Sequence, residues 1–297
     1  MRHYLKIRDF SADEMREVLK MFRSMKEGRG KPEEKILNGE TWALIFAKSS
    51  TRTRVSFQVG LLELGATPLF LSANDIQLGR GELICDTART LGRMLHGAVI
   101  RTYAQGDVED FAKYSGITTI NALTDEEHPC QIMTDIATIE ELRGPIQDQK
   151  VVFVGDGACN VPLSWVSAAK LLGFELVIAA PEKYQPSAKL LENTGVKVTD
   201  CIEDAVRGAD VLYTDVWVSM GKEEERHERV QSLGRYQINR ETLSLAKPDA
   251  MVMHCLPAYR GMEISEEVFE ANADTIFTQA ENRLHTQKAI IKFLRNR

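Results

Sequence analysis

The 297-residue sequence has no long apolar run, no CxxC pair and no excess of positive charge, and each absence removes a class of function. No stretch approaches the roughly 20 consecutive apolar residues that cross a bilayer, so no membrane partner is expected. The start, MRHYLKIRDF, lacks a signal-peptide core. Ser11 with Glu14 three residues on reads as a helix-opening capping box, so the fold is expected to begin near residue 1. The five cysteines, Cys85, Cys130, Cys159, Cys201 and Cys255, are odd in number and scattered. They make neither a disulfide framework nor a zinc knuckle, and they fit a reduced cytoplasm. A formal charge of −6 and a pI near 5.7 argue against a nucleic-acid or anionic-membrane partner. Internal repeats and low-complexity tracts are missing too.

What remains is a globular α/β pattern with real cores, the hydrophobic share being 43%. Strand-like runs at 41–47, 67–71, 97–102 and 118–123 alternate with helix-like segments at 53–64, 82–95, 106–115 and 129–142. Gly144-Pro145 stops the last of these. A second series of strands follows near 150–155, 175–180, 196–199, 210–215 and 250–253, and a helix at about 280–294 ends the chain. The expected fold class is two Rossmann-like α/β domains with mostly parallel sheets, 1–145 and 146–297.

The second series opens strand–GDG–helix. GDGACN lacks the third glycine of a dinucleotide fingerprint, so it reads as a tight turn in a domain that binds something else. In open α/β sheets ligands gather outside the carboxyl ends of strands. Six polar clusters fall at strand ends or helix starts: SSTRTR (49–54), IRTY (100–103), HPCQ (128–131), DVWVSMG (215–221), HCLPAYRG (254–261) and ENRLH (281–285). The first is the most telling. A strand followed by Ser-Thr at a helix start offers backbone N–H groups, hydroxyls and a positive dipole end, and with arginine it makes a phosphate or carboxylate cradle. Arg52 and Arg54 are two apart, so within a helix they point about 200° apart and cannot share one anion. Arg52 is expected on the ligand, with Arg54 facing away onto an acidic neighbour.

STRTR, HPxQ, DxxxSMG and HCLP, in this order, resemble the aspartate/ornithine carbamoyltransferase family, and the likeness runs from IRDFSADEM to TQAENRLHTQKAI. STRTR and HPxQ are shared across the family; SMG and HCLP mark its ornithine branch. The resemblance implies a carbamoyl phosphate site from Ser50, Thr51, Arg52, Thr53, Arg101, His128, Gln131, Cys255, Leu256 and Arg283. It also implies a homotrimer with active sites at subunit interfaces, Gln77 reaching in from a neighbouring subunit. The last helix, about 280–297, is expected to return to the first domain, which brings Arg283 to that site. Carbamoyl phosphate carries a dianionic phosphate and a carbonyl that turns oxyanionic under attack. Catalysis then rests on positioning and on fixed donors, with no metal or other cofactor. The helix start and Arg52 are assigned to phosphate, and Arg101, His128 and Thr53 to the carbonyl oxygen.

For the acceptor, the resemblance implies L-ornithine held by Asp215, Ser219 and Met220 at a loop that closes, with Gly221 as hinge. Asp215 and Cys255 are expected to orient and deprotonate the amine, with Arg101 and His128 as their catalytic partners. One departure stands out. Aligned on Gly155-Asp156 and SAAK, Cys159 falls where the family carries an amino-acid-binding asparagine, with Asn160 beside it. Both are therefore candidate acceptor ligands. Putrescine, a modified ornithine and, less well, aspartate remain as alternative acceptors, and a non-catalytic paralogue is the alternative outside enzymes. Lys48-Ser49, where relatives commonly have Lys-Pro, reads as a minor loop change.

Overall fold

The computed structural model describes residues 1–32, 34–72, 81–219, 221 and 223–296. Gln77 and Met220 lie outside them. The chain divides into two compact units, 1–137 with 281–297 and 138–280.

In the first unit β1 (Thr41–Phe46), β2 (Thr67–Ser72), β3 (Gly97–Arg101) and β4 (Thr118–Leu123) form a parallel sheet of order β2-β1-β3-β4. The central strands are almost wholly buried, as their unbroken apolar runs require in a sheet covered on both faces. Around it lie α1 (Ala12–Glu27), α2 (Thr51–Leu64), α3 (Ile84–Leu91), α4 (Gln105–Ser115) and the start of α5 (Pro129–Leu142). The capping box is present: Ser11 Oγ accepts the Glu14 N–H at 3.2 Å, and Glu14 accepts the Ser11 N–H at 2.9 Å.

In the second unit β5 (Lys150–Val154), β6 (Glu175–Ala179), β7 (Lys197–Thr199), β8 (Val211–Thr214) and β9 (Met251–His254) form a parallel sheet of order β7-β6-β5-β8-β9. Its connecting helices are α6 (Asn160–Leu172), α7 (Ala188–Leu191), α8 (Ile202–Val206), α9 (Arg226–Leu233), α10 (Arg240–Ser244) and α11 (Glu266–Ala271). Val152, Val154, Leu212, Val252, Tyr236 and Phe269 are among the residues of its core.

The final helix, α12, spans Ala273–Arg295 and so starts well before the expected 280. The polar ENRLH cluster resembles a helix start but is helical interior. Asn282, Arg283 and His285 are buried there, so their polarity marks a site rather than an end. From Glu281 onward α12 belongs to the first unit. Buried Lys288 reaches Glu63 at 2.8 Å, and the Phe293 ring meets Phe10 edge-on at 4.9 Å.

Both sheets reverse their strand order once, between β1 and β3 and between β5 and β8. Such a reversal splays the following connections to opposite faces and leaves a crevice at the carboxyl ends of the two strands. SSTRTR follows β1 and Arg101 ends β3; Gly155-Asp156 follows β5 and Asp215 follows β8. Topology alone thus selects three of the six polar clusters, together with the GDG turn.

Candidate active site

In the first unit, Phe46 of β1 pairs in register with Arg101 of β3, and the Ala47 N–H donates to the Arg101 carbonyl at 2.8 Å. The chain then turns into α2. Ser50 is the N-cap, extended at φ −164°, and its hydroxyl accepts the Thr53 N–H at 3.2 Å. The first N–H groups of a helix have no intrahelical acceptor, so the Thr51–Arg52 end offers backbone donors of the kind that suit an anion. Arg52 is half-buried there and forms no ion pair among the described residues. Arg54 points elsewhere: its guanidinium lies 3.6 Å over the Phe70 ring on β2. The two arginines do diverge, and among the described residues Arg54 meets an aromatic face in place of the expected acidic partner. The quadrupole of that ring attracts a cation without needing a carboxylate.

Behind the helix start, Arg283 forks between two helices. One Nη donates to Gln131 Oε1 on α5 and the other to Thr53 Oγ1 on α2, each at 2.8 Å. Gln131 in turn donates to Asp135 at 2.8 Å. Thr53 has no exposed surface, and its hydroxyl keeps one proton to donate. His128 is buried at the start of α5. Burial first, then Arg283 and Arg101, hold it well below the ordinary imidazole value. It is a neutral hydrogen-bonding ring set among cations. Its neighbour Cys130 is pushed by burial up to about 12, which makes it an inert core thiol.

Lys48, beside the Ser49 change, has a structural part of its own. It is buried, contacts the Asp125 carboxylate, and sits 4.4 Å over the Tyr103 ring. One cation therefore ties together the loops after β1, β3 and β4, the loops that carry the candidate phosphate ligands. Nothing in its sequence neighbourhood reveals this, because Tyr103 and Asp125 are distant along the chain.

In the second unit Val154, Thr214 and His254 are register neighbours on β5, β8 and β9. Gly155, Asp215 and Cys255 consequently leave the sheet side by side. Gly155 adopts φ +133°, open to glycine alone. A Cβ on Gly157 would lie 2.7 Å from the Ile178 side chain and 3.0 Å from the Tyr184 carbonyl. The turn then delivers Cys159 as N-cap of α6, its Sγ 3.2 Å from the Asp156 carbonyl, and Asn160 as the first helical residue. Cys159 is buried, and Asn160 is half-buried at a helix start. Ser219 is half-buried on the loop after β8.

The Cys255 thiol donates to Asp215 Oδ1 at 3.0 Å, and the Val216 N–H donates to the same oxygen at 2.7 Å. Burial pushes Asp215 above the ordinary carboxylate value; His254, the thiol and the Val216 N–H pull against it, while Glu263 adds to the rise. His254 is locked. The Leu256 N–H donates to Nδ1 at 2.9 Å, so in the neutral ring Nε2 carries the proton and faces Glu263 at 3.1 Å. Glu263 is itself fully buried and accepts the Tyr259 N–H at 2.5 Å. Leu256 is held at φ +57°, a conformation uncommon outside glycine, and opens the loop after β9. Asp215, His254 and Cys255 bring three potential metal-ligand atoms within 4.8 Å of one another. Both nitrogens of His254 are already engaged, so the trio suits hydrogen bonding to a cationic amine better than metal ligation.

Glu263, Asp156, Asp125 and Lys48 are site-building residues that sequence reasoning did not assign. Burial of a charge marks Glu263, Asp156 and Lys48, and a sequence does not display burial; Asp125 is exposed and joins them through its contact with Lys48.

Residues 2–141 match the domain described as aspartate/ornithine carbamoyltransferase, carbamoyl-P binding domain. Residues 147–294 match the aspartate/ornithine carbamoyltransferase, Asp/Orn binding domain. An ornithine carbamoyltransferase of Akkermansia muciniphila is 54% identical over 300 residues, covering 99% of this chain and 98% of the relative. The crystal structure of the anabolic ornithine carbamoyltransferase from Campylobacter jejuni superposes with a TM-score of 0.94 at 40% identity, covering 100% of this chain and 99% of that one. The solved structure of an ornithine carbamoyltransferase from Pyrococcus furiosus gives 0.92 at 43% identity, over 98% and 96%. The chain belongs to the aspartate/ornithine carbamoyltransferase family.

Proposed function

We propose that the protein transfers the carbamoyl group of carbamoyl phosphate to the δ-amine of L-ornithine, giving L-citrulline and phosphate. The carrying observation is the Asp215 carboxylate beside the Cys255 thiol at 3.0 Å, an acidic pair that suits a cationic amino-acid acceptor and not aspartate. Relatives named for the ornithine reaction at 54% and 47% identity support the same acceptor.

Carbamoyl phosphate is assigned to the helix start at Ser50–Thr53, with Arg52 on the phosphate, and to Arg101, His128, Gln131 and Arg283. The δ-amine lone pair attacks the carbonyl carbon. The carbonyl oxygen takes up charge under Arg101, neutral His128 and the remaining Thr53 proton, each such donor contributing about 3 kcal/mol. The C–O bond to phosphate then breaks, and the amine proton passes to the departing phosphate. Asp215 and Cys255 hold the amino acid, and Asp215 accepts the proton its δ-ammonium loses before attack, with Asn160, Ser219 and the Leu256 turn as further ligands. Asn160 takes the part that Cys159 cannot, since a buried thiol that gives its proton to the Asp156 carbonyl has no donor left for the substrate. Cys255 does not form a covalent intermediate, and intact-mass spectra of the quenched reaction should show no carbamoyl adduct.

The same proposal includes a cytoplasmic homotrimer with Gln77 entering a neighbour's site. Val55, Leu62 and Leu69 expose apolar surface on α2 and the edge strand β2, the kind of patch that a second copy covers. Light scattering should return three times the 33.4 kDa of the chain. The decisive assay is citrulline formation with a panel of L-ornithine, putrescine, acylated ornithine and aspartate. Turnover of ornithine alone supports the assignment; preference for another amine overturns it. Tight carbamoyl phosphate binding without turnover would point to a non-catalytic paralogue.

A further inference from the structure

Arg229 is the buried residue of an otherwise mostly exposed turn of α9. Its Nη1 donates to Asp156 Oδ2 at 2.7 Å and to the Trp217 carbonyl at 3.2 Å, and its Nε donates to Glu225 at 2.7 Å. The Tyr184 ring lies 5.0 Å from its guanidinium carbon. Asp156 is as buried as its partner, with side-chain exposures of 3% and 4%, and its second oxygen accepts the Ala158 N–H at 3.0 Å. A buried ion pair is a poor stabiliser compared with well-packed apolar side chains, because removing both charges from water costs several kcal/mol. Stability alone therefore does not explain this arrangement.

What Arg229 grips does. Asp156 lies in the turn that delivers Cys159 and Asn160. Trp217 lies two residues after Asp215 and two before Ser219, and Glu225 lies beyond Ser219 on the far side. A single planar guanidinium thus fixes the turn after β5 and both ends of the segment that carries Ser219. We propose that Arg229 is a positioning residue for the amino-acid acceptor, setting the Asn160 turn and the chain at Trp217 and Glu225, on either side of Ser219, at one mutual geometry. It does so by bonds to main chain and carboxylates, without itself being assigned to the substrate. Lysine cannot replace it, since one ammonium lacks the fork that reaches three acceptors.

The inference rests on the second unit holding the acceptor, and the test separates the two. Three variants of the full chain are compared: Arg229→Met, Arg229→Lys, and Asp156→Asn combined with Arg229→Met, which leaves no unpaired buried charge. In the single Met variant and in the double variant the KM for L-ornithine should rise about tenfold or more, while that for carbamoyl phosphate stays within about twofold. Arg229→Lys should fall between these and the wild type. Hydrogen exchange followed by mass spectrometry gives a readout that needs no substrate. Peptides covering 156–160 and 216–225 should exchange faster, with the rest of the second unit unchanged. Recovery of the ornithine KM in the double variant would reduce Arg229 to a charge partner of Asp156 and overturn the proposal. So would an equal rise in both KM values, or unchanged exchange. If the wild type turns over no ornithine, the acceptor assignment fails, and exchange alone decides on Arg229.

Discussion

Oδ1 of Asp215 accepts two hydrogen bonds, from the Cys255 thiol at 3.0 Å and from the Val216 N–H at 2.7 Å. This carboxylate belongs to the unit that matches the amino-acid-binding domain, not the carbamoyl phosphate one. Asp215→Asn keeps the shape and an acceptor oxygen but loses the charge that holds a cationic amino acid and the base that takes its ammonium proton. Turnover should fall about a hundredfold or more, the range of a lost acid–base or charge partner. Carbamoyl phosphate affinity, read by calorimetry, should stay at the wild-type value. Equal loss of both would mean that the roles of the two units are wrongly divided.

Arg52 and Arg54 illustrate the same separation of roles two residues apart. Arg52 stands at the start of α2 with no ion-pair partner among the described residues, whereas Arg54 stacks on Phe70. Arg52→Lys exchanges a forked donor for a point charge at a phosphate, and should weaken carbamoyl phosphate binding by about tenfold or more. Arg54→Lys keeps a cation over the ring and should cost about threefold or less. Phe70→Leu should reproduce the Arg54 effect and leave the Arg52 effect untouched. A carbamoyl phosphate KM more sensitive to Arg54→Lys than to Arg52→Lys would contradict the assignment.

The strands and their order of appearance were legible because near-continuous Val, Ile and Leu runs announce a covered parallel sheet. The polar clusters were legible for a related reason. Hydroxyls and arginines directly after such runs have few uses other than a strand-end ligand site. What the sequence hides is pairing at a distance. Arg283 joins Thr53 and Gln131 across more than a hundred residues, Lys48 meets Asp125, and His254 leans on Glu263. Arg54 is a further case, its partner among the described residues being an aromatic face on the neighbouring strand. The start of α12 was missed because a buried polar stretch inside a helix looks, in one dimension, like a helix end.

Arg283 is the point where the first unit should be most sensitive to a conservative change. Its two Nη donors each make a bond of 2.8 Å, one to Gln131 and one to Thr53. Arg283→Lys can keep one of them and strands the other buried acceptor, at a cost of about 1–3 kcal/mol. Carbamoyl phosphate affinity should drop together with the melting temperature. Thr53→Val, which removes one acceptor but no charge, should lower affinity with a smaller loss of stability. An Arg283→Lys chain with unaltered carbamoyl phosphate affinity would detach this residue from the site.

His128 makes a prediction about pH whose sign is fixed by its surroundings. Burial, Arg283 and Arg101 hold its folded-state value well below the ordinary imidazole, so the folded chain keeps it neutral into acid. The unfolded chain takes up that proton below about pH 6.5. On the acid side the unfolded state therefore binds more protons, and stability falls as pH drops below about 6.5, levelling only beneath the folded-state value. Above about pH 6.5 both states are neutral and His128 contributes no slope. His128→Asn removes the ionisation, so its melting temperature relative to wild type should improve progressively from about pH 7 to about pH 5 and hold steady above. Carbamoyl phosphate binding by the wild type should likewise show no break from this residue near pH 6.5, because a ring that never gains a proton there cannot gate it. A variant-to-wild-type difference constant from about pH 8 to about pH 5 would show that the folded chain protonates His128 as readily as the unfolded one, and would remove the neutral imidazole from the proposed oxyanion site.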